Sequence, residues 1–274
     1  MIKDEIVKIL QKLTGHKLIE IVLRGNSAID SALSIIPKDK LVLIPEEGGW
    51  IHYQKAPPKL GLTTIEVKCD DAKINLSDLK HKLTTNNCGA LLYQNPGGYF
   101  AEQPMKESYE LCRKNKCLVI MDVSGSIGTE LCDGKFVDII VGSFGEWKLV
   151  EAKAGGFISC QNKELFDKIK EHTTPLTDGV QLNTILTKIH ELSGRIKFLL
   201  GKREKIIREL KEFEVVHPKD LGFVVVVKYK DDTEKSKIIS YFKQNSLPFT
   251  ECPRYIRLNN PAVSIEVKQL QSAL

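Results

Sequence analysis

Between residues 18 and 160 the chain repeats one pattern: a short, near-continuous apolar run followed by a longer polar stretch. The runs fall at residues 18–23, 41–44, 63–67, 90–93, 117–122, 137–141 and 156–160. Several of the stretches between them carry apolar residues at helical spacing, such as Ile29/Leu33/Ile36 and Leu76/Leu79/Leu83. Unbroken apolar strands separated by helices make a mainly parallel sheet covered on both faces. The expected core is thus a three-layer α/β/α arrangement around a mainly parallel seven-stranded sheet. Only the last two runs lack room for a helix between them, and the loop there carries Lys148.

Past residue 162 the rhythm changes. Residues 162–172 read as a helix, and residues 181–213 as a long charged amphipathic helix with Gly194 and Gly201 as points of weakness. Residues 223–229 form a β-branched strand, 233–245 a helix, 255–258 a strand and 262–274 a closing helix. The first thirteen residues read as one amphipathic helix. The expected organisation is an N-terminal helix over 1–17, a large α/β domain over 18–161, and a smaller C-terminal α+β domain over 162–274 that includes the long helix.

A net charge of +5, from 40 basic and 35 acidic residues well mixed along the chain, is too mild to point to nucleic acid. Seven cysteines without a CxxC pair, several beside apolar runs, fit a reducing compartment and no zinc site or disulfide framework. No leader segment opens the chain and no apolar run approaches membrane-spanning length, so the expected location is the cytoplasm.

Polar groups gather at the ends of the apolar runs. Asp122 ends one and is followed by Val123-Ser124-Gly125-Ser126, and Ser143 and Lys148 follow the next. In an open α/β sheet such positions meet at the carboxyl ends of neighbouring strands, where ligands bind. Arg24-Gly25-Asn26-Ser27-Ala28 follows the first run and opens a helix, a natural seat for a phosphate and equally an ordinary turn and helix cap. Asp122 alone would read as a cap or an ion-pair partner. Lys148 stands between Trp147 and Leu149, a packed setting; Lys153 is its competitor, and the nearby Glu146 and Glu151 would favour a charged amine.

Together, Asp122 with its small followers, Ser143-Phe144-x-x-x-Lys148, and Gly155-Gly156 seven and eight residues after the lysine resemble the fold-type I pyridoxal phosphate enzymes. The spacing is similar to that of the amino-sugar aminotransferases, and Asp122-Val-Ser-Gly-Ser with Lys148-Leu149 also resembles the selenocysteine synthases and their archaeal relatives. The resemblance covers roughly residues 18–270. It implies that Lys148 forms the internal aldimine with the cofactor and later moves protons at the substrate α-carbon, and that Asp122 pairs with the ring nitrogen. It further implies that Gly25, Asn26, Ser27, Ala28 and Ser143 hold the phosphate, that Trp50 lies against the ring, and that Asn95 reaches the ring hydroxyl. Arg257 takes the place of the arginine that grips a substrate carboxylate, with Arg254 as its rival. Where many relatives carry a Gln, His or Asn three residues after the aspartate, this chain has Gly125.

The implied activity is that of a pyridoxal phosphate-dependent transferase on an amino acid or other amino donor, an aminotransferase first. The alternatives are a selenocysteine synthase-like β-replacement enzyme, or a scaffold that has lost catalysis and serves as a partner or regulatory subunit. The implied assembly is a homodimer; a second subunit that supplies the N-terminal arm, longer in the family, is the other arrangement. No metal, membrane or nucleic-acid partner is expected.

Overall fold

The computed structural model describes residues 2–271; Met1 and residues 272–274, the outer ends of the first and last expected helices, lie outside it. The chain opens with α1 (Ile2–Thr14), β1 (Leu18–Val22), α2 (Gly25–Ser34), β2 (Leu41–Pro45), α3 (His52–Lys59) and β3 (Thr63–Val67). A small hairpin of β4 (Cys69–Asp70) and β5 (Lys73–Ile74) leads to α4 (Leu76–Thr85), β6 (Cys88–Gln94), α5 (Met105–Lys114) and β7 (Leu118–Asp122). Next come β8 (Ile139–Ser143), β9 (Gly156–Cys160), α6 (Lys163–Lys170) and the long α7 (Gly179–Glu209). The remainder is β10 (Glu214–Val215), β11 (Val225–Lys228), α8 (Asp232–Gln244), β12 (Phe249–Cys252) and β13 (Ala262–Ile265).

The seven apolar runs form one seven-stranded sheet in the order β1-β9-β8-β7-β6-β2-β3. β8, β7, β6, β2 and β3 run parallel, and β9 is antiparallel to both its neighbours, as the short β8–β9 loop requires. Every residue of β6 is buried, because the strand is covered on both faces. Its pleat sends Leu91 and Tyr93 into the layer formed with α1, α4, α5 and α7, and Ala90 and Leu92 into the layer formed with α2, α3 and α6. Each fully buried aliphatic side chain of this kind contributes about 1.5–3 kcal/mol.

Helix starts follow side-chain chemistry. Asn75, Asn162, Asp178 and Asp231 each accept a bond from a backbone amide two or three residues on, which fixes the starts of α4, α6, α7 and α8. Gly194 and Gly201 do not break α7, which is continuous over 31 residues. Two expectations for the C-terminal part are corrected. Residues 255–258 are a turn, not a strand, closed by Arg254 N–H to the Leu258 carbonyl and Arg257 N–H to the Arg254 carbonyl. Ala262–Ile265 is a strand, not a helix, paired on both sides in the four-stranded antiparallel sheet β10-β11-β13-β12. Among the described residues no helix is long and apolar enough to cross a membrane, and no group of His, Cys, Asp or Glu could hold a metal ion.

Candidate active site

Five parallel strands end on one edge of the large sheet, and the loops that leave them meet there. Gly25 begins α2 against the end of β8: a side chain on it would meet the Ser143 Cβ at 2.5 Å. Gly156 is equally confined, with the Gly25 amide nitrogen and the Gly142 carbonyl oxygen each 2.7 Å from where its Cβ would stand. These two glycines let the N-terminus of α2 lie on the strand ends. The N-cap residue of α2, Arg24, has no side-chain oxygen to offer the first amides, the Ser27 hydroxyl accepts the Arg24 amide, and the first turn of the helix holds no acidic residue. Its open amides and the positive end of its dipole suit an anion such as a phosphate.

Asp122 ends β7 and is buried. Its carboxylate accepts the Tyr53 hydroxyl at 2.9 Å and the Ser124 amide at 2.8 Å. Burial, then the charge of Asp122, pushes the Tyr53 phenol well above its ordinary range, so Tyr53 is the donor of that bond. Among the described residues no cation pairs with Asp122. A buried carboxylate held by two neutral donors has charge left to meet a protonated ring nitrogen. Ser124 also accepts the Ser143 amide at 2.9 Å and so ties the β7 and β8 ends together.

Lys148 lies on the loop between β8 and β9, anchored by the buried Phe144 and Leu149. Its amine donates to the Tyr99 hydroxyl at 2.5 Å and stands 5.4 Å from the centre of the Trp50 ring. The Trp50 indole N–H in turn bonds Asn26 Oδ1 at 2.9 Å. Glu146 points to solvent, and Glu151 lies beside Arg195 at 3.8 Å. Neither carboxylate pairs with Lys148 among the described residues.

Lys148, Asp122, Trp50, Gly25, Asn26 and Ser143 thus line one cleft. Ser27 and Ala28 do not face it: the Ser27 hydroxyl is spent on the Arg24 backbone, and Ala28 is core. Asn95 does not line this cleft: its side-chain amide is buried, accepting the Gln103 amide and donating to the Leu131 carbonyl. Arg257 lies close by, 5.5 Å from the Tyr99 ring centre, but its planar fork closes on Glu266 at 2.5 and 3.2 Å and its third donor on the Ile256 carbonyl. It is 1% exposed, so no open fork faces the cleft.

Tyr99, Tyr53 and Lys268 were not among the expected residues. Tyr99 explains Gly125: a side chain at 125 would meet the Tyr99 ring at 2.7 Å, so only a residue without one fits beneath the ring. The available signal was Gly97-Gly98 before Tyr99 just past a strand end, and Tyr53 one helical turn after Trp50.

The same architecture recurs in solved structures. A variant of serine palmitoyltransferase from S. paucimobilis, with a bound PLP–myriocin aldimine, matches with a TM-score of 0.77 at 14% identity, over 97% of this chain and 71% of that one. A 3-amino-5-hydroxybenzoic acid synthase matches with a TM-score of 0.75 at 14% identity, over 97% and 85%. A complex of SepCysS with the SepCysE N-terminal domain matches with a TM-score of 0.74 at 14% identity, over 98% and 81%. The fold is that of the fold-type I pyridoxal phosphate enzymes. Comparison with curated protein sequences gives no match. Residues 183–274 match the MJ1341 family C-terminal domain, the boundary falling inside α7. Residues 31–184, more than half of the chain, match the DegT/DnrJ/EryC1/StrS aminotransferase family, and the chain belongs to that family.

Proposed function

We propose that the protein is a pyridoxal phosphate-dependent enzyme acting on an amino acid or other amino donor, and that transamination is its reaction. The convergence of Lys148, Asp122, Trp50 and the α2 N-terminus on one cleft carries this reading. The residues fit the cofactor: a phosphate at the open α2 amides beside Ser143, a ring nitrogen at Asp122, a ring face at Trp50 and an amine at Lys148. Bound there, pyridoxal phosphate supplies an electron sink for the pair left at the substrate α-carbon.

The chain's own residues set up that chemistry. Lys148 would offer its Nζ to the cofactor aldehyde and hold or move a proton at the substrate α-carbon. Asp122 would hold the ring nitrogen, with Tyr53 and the Ser124 amide fixing its carboxylate. Trp50, bonded to Asn26, would shield the site from water. We assign the protein to the cytoplasm and to a homodimer, the assembly usual for this fold; light scattering at micromolar concentration tests the latter.

The deciding experiment is a visible absorption spectrum with added pyridoxal phosphate, before and after borohydride, for wild type and Lys148→Ala. A yellow wild type that borohydride bleaches and fixes covalently, beside a variant without adduct, is the expected result. A wild type that stays colourless overturns the enzymatic reading in favour of a partner or regulatory subunit.

A further inference from the structure

Tyr99 is held in place more firmly than packing alone requires. Its backbone φ is +68°, a region that bulky residues seldom adopt, and the residue is buried. The surroundings impose this conformation. The Tyr99 amide donates to the Pro96 carbonyl, and its carbonyl accepts the Phe223 amide at 2.7 Å. A side chain at Gly222 would meet the Tyr99 carbonyl oxygen at 2.6 Å, and one at Gly125 would meet the ring at 2.7 Å. Two bare positions and two backbone bonds thus serve to aim a single phenol.

That phenol lies between two amines. Lys148 Nζ and Lys268 Nζ are each 5.1 Å from the ring centre. Only Lys148 bonds the hydroxyl, at 2.5 Å. The short bond and the longer distance to the ring centre place Lys148 Nζ beyond the hydroxyl, in line with the ring, not over its face. Lys268 is tied instead to Glu266 at 3.1 Å and stands 5.6 Å from the Trp147 ring centre. Burial, followed by the nearby charges of Arg257 and Lys148, pushes the Lys268 amine down to about 8 against the pull of Glu266. Lys268 is therefore a buried amine beside the same ring that loses its proton more readily than an ordinary lysine.

We propose that Tyr99 is a positioning residue whose hydroxyl selects Lys148 over Lys268 as the amine presented to an aldehyde in the cleft. The proposal rests on the cofactor reading above and adds a residue-level reason why one of two neighbouring lysines is used.

The test is borohydride trapping of pyridoxal phosphate on the full chain, with the labelled lysine mapped by peptide mass spectrometry and the rate followed by absorbance. Wild type is expected to label at Lys148. Tyr99→Phe keeps the ring and the backbone and loses the hydroxyl; its rate should fall several-fold, the effect of losing one hydrogen bond that aims the amine, and Lys268 should take a measurable share of the label. Lys268→Met leaves the Tyr99–Lys148 bond intact and should label Lys148 at the wild-type rate. A Tyr99→Phe variant that labels Lys148 alone at the wild-type rate overturns the proposal, as does loss of labelling in Lys268→Met. Should Tyr99→Phe not fold, the wild-type map decides: a wild type that labels Lys268 as readily as Lys148 overturns the selection. A wild type labelled at neither lysine instead overturns the cofactor reading, and this selection with it.

Discussion

Glu266 answers two cations with one carboxylate. Burial opposes its charge, but Arg257 at 2.5 Å and Lys268 at 3.1 Å win and hold the carboxyl at about 2, against an ordinary 4.5. The folded value lies below the unfolded one, so this stabilisation is complete above about pH 4.5 and is lost as pH falls toward 2. Its size is on the order of 3 kcal/mol. Lys268 slopes the same way with pH but is unfavourable at neutral pH: depressed to about 8 from 10.5, it costs stability below pH 8, and that cost is relieved as pH rises toward 10.5. The acid limb is the larger guide, because Glu266 has charge-assisted bonds from two residues and Lys268 has one carboxylate against two like charges. Glu266→Gln should cost about 3–5 kcal/mol at neutral pH, leaving two buried cations unmatched, and should flatten the acid limb. Urea melts at pH 7 and pH 3.5 check both; parallel acid losses in variant and wild type would place the dependence elsewhere. Gly25 makes a second case at this scale. Gly25→Ala presses a methyl onto the Ser143 Cβ and Cα, at 2.5 and 3.1 Å, neither of which can yield as a flexible side chain would. A loss of about 1–3 kcal/mol is expected, with weakened pyridoxal phosphate binding in a fluorescence titration that reads Trp50; unchanged affinity would take the phosphate away from this turn.

Among the elements, α7 tolerates what α2 does not. Gly194 and Gly201 sit inside this helix with nothing within 4 Å of where a Cβ would be. Gly194→Ala and Gly201→Ala should each stabilise by about 0.4–1 kcal/mol, through helix propensity and a less free unfolded chain. Seven residues apart, the two should add; a thermal melt of the double variant checks this, and a drop in midpoint would reveal a packing role for the bare positions. The same helix shows what the sequence made legible. Its apolar spacing outweighed its glycines, and the seven apolar runs marked every strand of the large sheet to within two or three residues at each end. Asp122 and Gly25 were readable because one ends such a run and the other opens a helix, and Trp50 and Lys148 because of their spacing in the loops that follow β2 and β8. Ala262–Ile265 was not. Its apolar residues continue at a helix-like spacing into Val267 and Leu270, and only pairing with β11 and β12, made far along the chain, turns it into a central strand. Tyr99 was hidden for a similar reason: its aim depends on Gly125 and Gly222, distant in sequence, and on a positive φ that no local pattern announces. Asn95 stays off the cleft because its neighbours Gln103 and Leu131 claim its amide.

Across the whole molecule, one apolar core runs from the large sheet through α7 to the small sheet, and beside the cleft loops add polar bonds between the two, with Glu47 central to that joint. It is 4% exposed and its carboxyl is raised by burial, yet among the described residues it pairs with no cation: one oxygen accepts the Ala72 amide at 2.8 Å and the other the Asn259 amide at 2.6 Å. The first donor belongs to the large-sheet half and the second to the turn that follows Arg257. Next to it, the Gly48 amide donates to the Tyr255 carbonyl, and the Gly48 carbonyl accepts the Gly98 amide one residue before Tyr99. Loosening this joint therefore reaches the residue that bonds Lys148. Glu47→Ala leaves two buried amides without acceptors, each costing about 1–3 kcal/mol. A loss of about 2–4 kcal/mol in urea unfolding is expected, together with slower borohydride trapping of pyridoxal phosphate at Lys148. Wild type should unfold in one step by tryptophan fluorescence and by far-ultraviolet circular dichroism, since the halves share these bonds. If Glu47→Ala loses stability but traps at the wild-type rate, the joint holds the fold without aiming Tyr99. If both fall together, the contact between the two sheets is part of what keeps the Lys148 amine in place.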